Sequence, residues 1–179
     1  NSKKKIILIS IKKNLKTSDI ESLGAELYGR INYGKNAEYF LNSDSIDIKH
    51  KNFVSHFLHG LKLKSYEFKK YKTKKETRVI TINLTGIKNK PSAKDQLKFK
   101  ALEEGTFFAR DLVSEPGNVL HPDEYAKRLN YLKKDGLKVN IYDKKKLKKL
   151  GMNALLGVGM GSTRGSYLVT MEWNGAKNN

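Results

Sequence analysis

One stretch constrains this chain more than any other: Ser92 to Pro122, reading SAKDQLKFKALEEGTFFARDLVSEPGNVLHP. Leu97, Ala101, Gly105, Phe108 and Leu112 recur there at helical spacing, and Leu102, Ala109 and Val113 widen the stripe. Ser92 suits the N-cap, Pro91 precedes it, and Asp95 stands where a capping-box acid would answer it. Glu115-Pro116-Gly117-Asn118 ends the helix, because proline disfavours helical backbone before it and glycine permits a reversal. A helix of about 20 residues spans roughly 30 Å, enough to connect two domains.

The flanks alternate between strand and helix patterns. Ile6–Ile11 is a continuous apolar run, as expected of a strand buried on both faces. Ser18 and Glu21 form an S-x-x-E capping box for a helix with the stripe Ile20, Leu23, Leu27 and Ile31, with Tyr28 beside it and Gly34 as its stop. Tyr39–Leu41 reads as a short strand and Lys51–Leu63 as an amphipathic helix carrying Phe53, Val54, Phe57, Leu58 and Leu61. Val79–Leu84 is a further strand, and Gly86 and Pro91 mark the loop before the long helix. Beyond that helix, Pro122 opens another, Asp123 and Glu124 suit its positive end, and Tyr125, Leu129 and Leu132 supply its buried face. Leu137–Tyr142 is a strand, Lys144–Leu150 a short basic helix and Ser166–Trp173 a last strand. Such alternation argues for α/β layers rather than a helix bundle.

FARDLVSEPGNVLHPDEYA resembles the ARDLVN-x-P-x-N-x-x-x-P segment of the leucyl aminopeptidases, the cytosol aminopeptidases of the M17 metallopeptidase family. LKVNIYDKKKLKKLGMNALLGVGMGSTRGSYLVTMEWNG continues the likeness, matching the family's lysine-rich helix, LGM, ALL-x-VG-x-GS and following strand. HFLHGLKLKSYEFKKYKTKK is similar to the end of the family's first domain, so the resemblance spans most of residues 5–175. His121 stands where the family has threonine, a departure that weakens the cap. The resemblance implies a macro-domain-like N-terminal α/β domain over 1–90 and a linker helix and turn over 91–121. Residues 122–179 would then hold the first β-α-β part of an α/β/α metallopeptidase domain. It further implies peptide substrates, two divalent metal ions (manganese or zinc), a bicarbonate-assisted proton step, a homohexamer and a cytoplasmic location.

The family draws its metal and catalytic residues from VGKG-x-x-FD-x-GG-x-x-x-K and NTDAEGR-type motifs, and neither occurs in residues 1–179. The first would begin within a few residues of Asn174–Asn179, and the opening strands of the first domain would precede Lys3. On this resemblance the chain is an internal fragment with no catalytic, metal or cofactor-binding residue, inactive by itself. Tyr167, Leu168, Val169, Met171 and Trp173 would then lack their usual cover, leaving the isolated chain prone to aggregate or partly disordered after about Asp143.

Four local features bear on chemistry. GVGMGS carries Gly157, Gly159 and Gly161 but runs into a strand-like YLVTMEW, whereas a phosphate loop needs a helix after it; a tight turn is the better reading. His56 and His59 share a helix face, yet a closed metal site wants four ligands and only Glu67 is near in sequence, so they read as structural histidines on a partly exposed face. Glu104 and Asp111 lie two turns apart, about 10 Å along a helix axis and too far to share a metal; Arg110 and Asp111 instead tie the helix to its neighbours. The fourth feature is lysine density. Lys62, Lys64, Lys69, Lys70, Lys72, Lys74 and Lys75 interleave with Tyr66, Phe68 and Tyr71, and Lys144–Lys146, Lys148 and Lys149 form a second cluster.

Composition sharpens that last point. The formal net charge is +18, which favours polyanions at long range, and lysine–aromatic interleaving is a pattern of nucleic-acid surfaces. Only Arg30, Arg78, Arg110, Arg128 and Arg164 among the 36 basic residues are arginines, the type that bidentate phosphate recognition prefers. A solvated lysine surface is thus the first reading and a small basic nucleic-acid-binding protein the alternative, to be favoured by steep salt-dependent retention on DNA that is lost when Lys69–Lys75 are neutralised. A non-catalytic assembly module is a third reading, one the linker helix would suit. There is no cysteine, hence neither a disulfide nor a thiolate-bound zinc. The Ile6–Ile9 run is too short for a signal peptide or a membrane span.

Overall fold

The computed structural model describes residues 6–31, 36–46, 50–74 and 79–175. The chain divides into two units, Asn1–Asp111 and Leu112–Asn179, with the break inside the long helix. The expected stop at Gly34 and the expected contribution of Lys75 lie outside the described residues.

The first unit holds α1 (Thr17–Ile31), β1 (Ala37–Asn42), α2 (Phe53–Lys64), β2 (Ile80–Thr85) and most of α3 (Ala93–Ser114). Ile20, Phe53, Val54 and Phe57 form its core, with Leu23, Leu27, Leu41 and Leu84 packed against them. The α1–α2 crossing is close because glycines meet there. A Cβ on Gly24 would stand 1.9 Å from the Phe57 carbonyl oxygen, and one on Gly60 1.9 Å from that of Glu21. β1 and β2 pair in parallel with Ala37 opposite Ile80 and Asn42 opposite Thr85, and α2 makes the crossover that parallel pairing demands.

Three details depart from expectation. Ile6–Ile11 forms no strand: Ile6 and Leu8 are exposed, while Ile9 and Ile11 rest on the core. A strand buried on both faces needs a ladder partner and cover on each side, and β1 pairs only with β2 among the described strands. The α1 cap also shifts. Asp19 accepts the Lys16 N–H at 2.9 Å, while Glu21 turns away to His56, so the Ser18–Glu21 box does not form.

The third departure concerns α3. Its capping box forms, with Ser92 Oγ accepting the Asp95 N–H at 3.1 Å and donating to the Asp95 carboxylate at 2.6 Å. Its expected buried stripe is turned outward. Leu97, Leu102 and Val113 are exposed and Phe108 and Leu112 half-buried, while Phe99 is the buried residue of the helix. Glu103, Phe107 and Arg110 follow Phe99 at helical spacing, and each has a partner on α2 or the segment just after it. Aromatic and polar anchors, not the aliphatic stripe, dictate the rotation of the helix.

The second unit holds α4 (Pro122–Asn130), a 3-10 turn (Tyr131–Asp135), β3 (Lys138–Tyr142), α5 (Lys144–Lys149), α6 (Asn153–Val158) and β4 (Leu168–Glu172). Asp143 caps α5 by accepting the Lys146 N–H at 2.9 Å, and Leu147 beneath it is fully buried. α4 buries Ala126 and Leu129; Tyr125, expected on that face, is 44% exposed because the buried stripe falls one position later. β3 and β4 pair antiparallel, Lys138 opposite Glu172, so the β-α-β segment is not a parallel crossover unit.

Candidate functional site

The polar groups of the first unit gather where α1, α2 and α3 meet. His56 Nδ1 lies 3.0 Å from Glu21 Oε1 and His59 Nδ1 3.0 Å from Glu103 Oε1, both within hydrogen-bond reach. The Phe99 ring sits between the two histidines, its centroid 4.9 Å from each. His56 is half-buried, as expected, but His59 is buried, so the partly exposed face holds only for the first. Each histidine has a single carboxylate partner, and both carboxylates come from other helices rather than from Glu67. These pairs pin three helices together. Among the described residues no group of three or more histidine or acidic side chains could hold a metal ion, so a two-metal donor set does not fit here.

The aromatic residues of the lysine-rich segment are engaged within the protein. Tyr66 packs on Phe107 with ring centroids 5.3 Å apart, lies under the Arg110 guanidinium, and donates to Asp111 Oδ1 at 2.7 Å. Arg110 also donates to the Leu63 carbonyl at 2.6 Å. Arg110 and Asp111 thus tie α3 to the end of α2, as their sequence reading holds. Phe68 packs on Tyr71, and Lys69 pairs with Glu67.

In the second unit, charge concentrates at the turn that follows α3. Arg128 on α4 donates to Glu115 at 2.8 Å and to Glu124 at 3.0 Å, and the Glu115 side chain is only 1% exposed. Glu115 first, and Glu124 after it, raise the Arg128 pKa, so the guanidinium stays charged. His121 leaves the helix end uncapped and pairs with Asp123, which also faces Arg164 at 3.6 Å. Burial pushes the Asp123 carboxyl up, but its own backbone N–H, His121 and Arg164 outweigh that and hold it below the usual range. This clamp fixes the SEPGN turn against α4. The sequence reading missed it, although Glu115 before a proline, in a chain poor in arginine, was a signal.

GVGMGS begins inside α6 and ends in a turn before β4. A helix precedes the glycines and a strand follows, the reverse of a phosphate loop. At Gly159 a Cβ would lie 2.0 Å from Ser166 Oγ, so a larger residue there would need the serine hydroxyl to turn away. Sequence reading placed a turn at these residues and did not foresee α6.

Comparison with known proteins finds relatives in sequence and in fold. A profile of the cytosol aminopeptidase family, catalytic domain, matches residues 107–179. A protein of Nitrobacter winogradskyi named probable cytosol aminopeptidase is 33% identical over 180 aligned positions, covering 97% of this chain and 36% of the relative. One of the same name in Phytoplasma mali is 39% identical over 153 positions, covering 82% of this chain and 30% of its own length. The chain spans about a third of the length of the curated relatives it matches. In fold, a mutant of tomato leucine aminopeptidase superposes with a TM-score of 0.72 at 22% identity, over 86% of this chain and 32% of its own. The bottromycin maturation enzyme BotP, in complex with Mn, gives 0.74 at 20% identity, over 90% and 34%. The mixed α/β fold is shared with these structures, and the sequence matches first define a class, the relatives of the aminopeptidases. More particularly, the chain belongs to the cytosol aminopeptidase family, M17.

Proposed function

We propose that these 179 residues serve a leucyl aminopeptidase, a two-metal exopeptidase that releases N-terminal residues such as leucine from peptides. One observation carries the reading: the catalytic-domain profile matches from Phe107 to the last residue, while the aligned relatives are about three times as long as this chain. On this reading residues 1–90 are part of a macro-domain-like first domain, 91–121 the linker and 122–179 the opening of the peptidase domain. The metal and catalytic residues fall outside the stretch. Manganese or zinc, a homohexamer and a cytoplasmic location belong to the same proposal; support for manganese is a fold relative in complex with Mn. No described helix is long and apolar enough to cross a membrane. The basic surface leaves nucleic acid as a second candidate partner, supported by the +18 charge.

The test compares two proteins on leucine anilide with added manganese or zinc: one carrying this sequence within a chain of family length, and the 179 residues alone. The longer protein is expected to hydrolyse the substrate, and the 179 residues to be inert. Activity in the short chain would overturn the placement of the site, and inactivity of the long one with both metals would overturn the function.

A further inference from the structure

The start of α2 is open in an unusual way. Asn52, the cap residue, adopts left-handed backbone (φ 62°) and its side chain makes no cap hydrogen bond. It reaches instead to Asp95 Oδ1 at 3.2 Å. The Phe53 N–H is taken by the His50 carbonyl, and the His56 N–H by that of Asn52. Between them, Val54 and Ser55 carry the orphan amide donors that every helix start leaves, at the positive end of the helix dipole.

A second observation points to a ligand. Ser55 is only 5% exposed, and its hydroxyl has no hydrogen-bond partner among the described residues; it is the sole such buried side-chain atom found among them. Ser55 lines a cavity of about 340 Å³ together with Lys51, Asn52, Asn89, Lys90 and His50. A buried hydroxyl without a partner carries a desolvation penalty that an acceptor removes. The charge on the cavity wall is cationic, from Lys51 and Lys90. Two acids of the surrounding segments are already engaged among the described residues: Asp44 accepts the Ile87 and Lys88 N–H groups, and Asp95 is held by Asn52 and Ser92.

We propose that this cavity is a phosphate-binding site, in which the orphan amide and the hydroxyl of Ser55 and the ammonium groups of Lys51 and Lys90 receive the oxygens of a phosphate group. Donors of three kinds suit a tetrahedral anion, whose several oxygens can each take a partner, better than a carboxylate with two. The ligand is inorganic phosphate or the phosphate of a small ester. The site lies wholly in the first unit and is independent of peptidase chemistry.

Equilibrium dialysis of the chain, in chelator to exclude metal-held phosphate and at constant ionic strength, tests it with inorganic phosphate and with a nucleoside monophosphate. Saturable binding of one phosphate per chain is expected, and the tighter of the two ligands names the source. Ser55→Ala removes one donor to an anion and is expected to weaken binding roughly tenfold; Lys90→Glu, at an exposed position, is expected to weaken it at least as much. Lys148→Glu, in the other basic cluster, is the control and should change binding less than twofold. Binding that never saturates, or that falls equally with Lys148→Glu, would mean diffuse attraction to lysines and overturn the proposal. So would binding that withstands both Ser55→Ala and Lys90→Glu.

Discussion

At the scale of the residue, the charges that matter are those with fixed partners. Asp44 is held below its usual range by the Lys88 and Ile87 backbone N–H groups, with Lys88 and Lys90 charges adding to them. A carboxylate depressed on folding stabilises the protein above its unfolded pKa, and that contribution is lost as pH falls through the folded value. Unfolding followed by circular dichroism should therefore show an acid limb setting in below the ordinary Asp value of 3.8, shallower in Asp44→Asn; an unchanged limb would show that the β2–α3 loop does not depend on this carboxylate. Arg128 offers a larger effect. Replacing it with alanine leaves the buried Glu115 carboxylate without its guanidinium, a loss of about 3 kcal/mol, whereas Arg128→Lys keeps a charge and should lose less. Equal melting temperatures for Arg128→Ala and the parent would refute the clamp. Neither the His59–Glu103 nor the Arg128–Glu115 partnership was legible in the sequence beyond the residues themselves. His59 and Glu103 are 44 positions apart and Arg128 and Glu115 13 apart, and periodicity says nothing about which distant side chains will meet.

At the scale of the element, most helices and strands were legible because their stripes and caps are local. β1, α2, β2, α4, β3, α5 and β4 stand within a few residues of where the pattern places them. What failed was orientation and pairing. The aliphatic stripe of α3 is as periodic as a buried one, yet Phe99, Phe107 and Arg110 have specific partners on the first unit and win the rotation. The Ile6–Ile11 run has the composition of a strand but no ladder, and composition cannot supply a neighbour. The glycines of α1 and α2 were likewise silent in the sequence, although their removal is the sharpest prediction at this scale. Gly24→Ala or Gly60→Ala drives a methyl into backbone of the facing helix. Overpacking of this kind costs about 1–3 kcal/mol, and more where backbone must move. Gly105→Ala on the same scale meets nothing and should stabilise α3 by up to about 1 kcal/mol. Denaturant midpoints for the three variants decide it; a stabilised Gly24→Ala would mean the crossing is looser than described.

For the whole molecule, two opposed forces set the behaviour of the 179 residues in isolation. Leu97, Leu102, Val113, Val158, Met160, Met171 and Trp173 are all exposed, and apolar surface gains about 25 cal/mol for every Å² it hides. A charge of +18 keeps copies apart. The balance turns on ionic strength, because the Debye length shrinks from about 10 Å at 0.1 M salt to about 3 Å at 1 M while hydrophobic burial is not screened. Light scattering should thus find the chain dispersed at low salt and increasingly associated as sodium chloride is raised. The variant Leu97→Lys, Leu102→Lys, Val113→Lys should shift that onset to higher salt, since it removes three exposed apolar side chains from α3 and adds three charges. Association that instead dissolves with salt would show that ion pairs, not apolar faces, hold the copies together. A monodisperse monomer at 1 M salt would show that the exposed α3 stripe is too small to drive association at all.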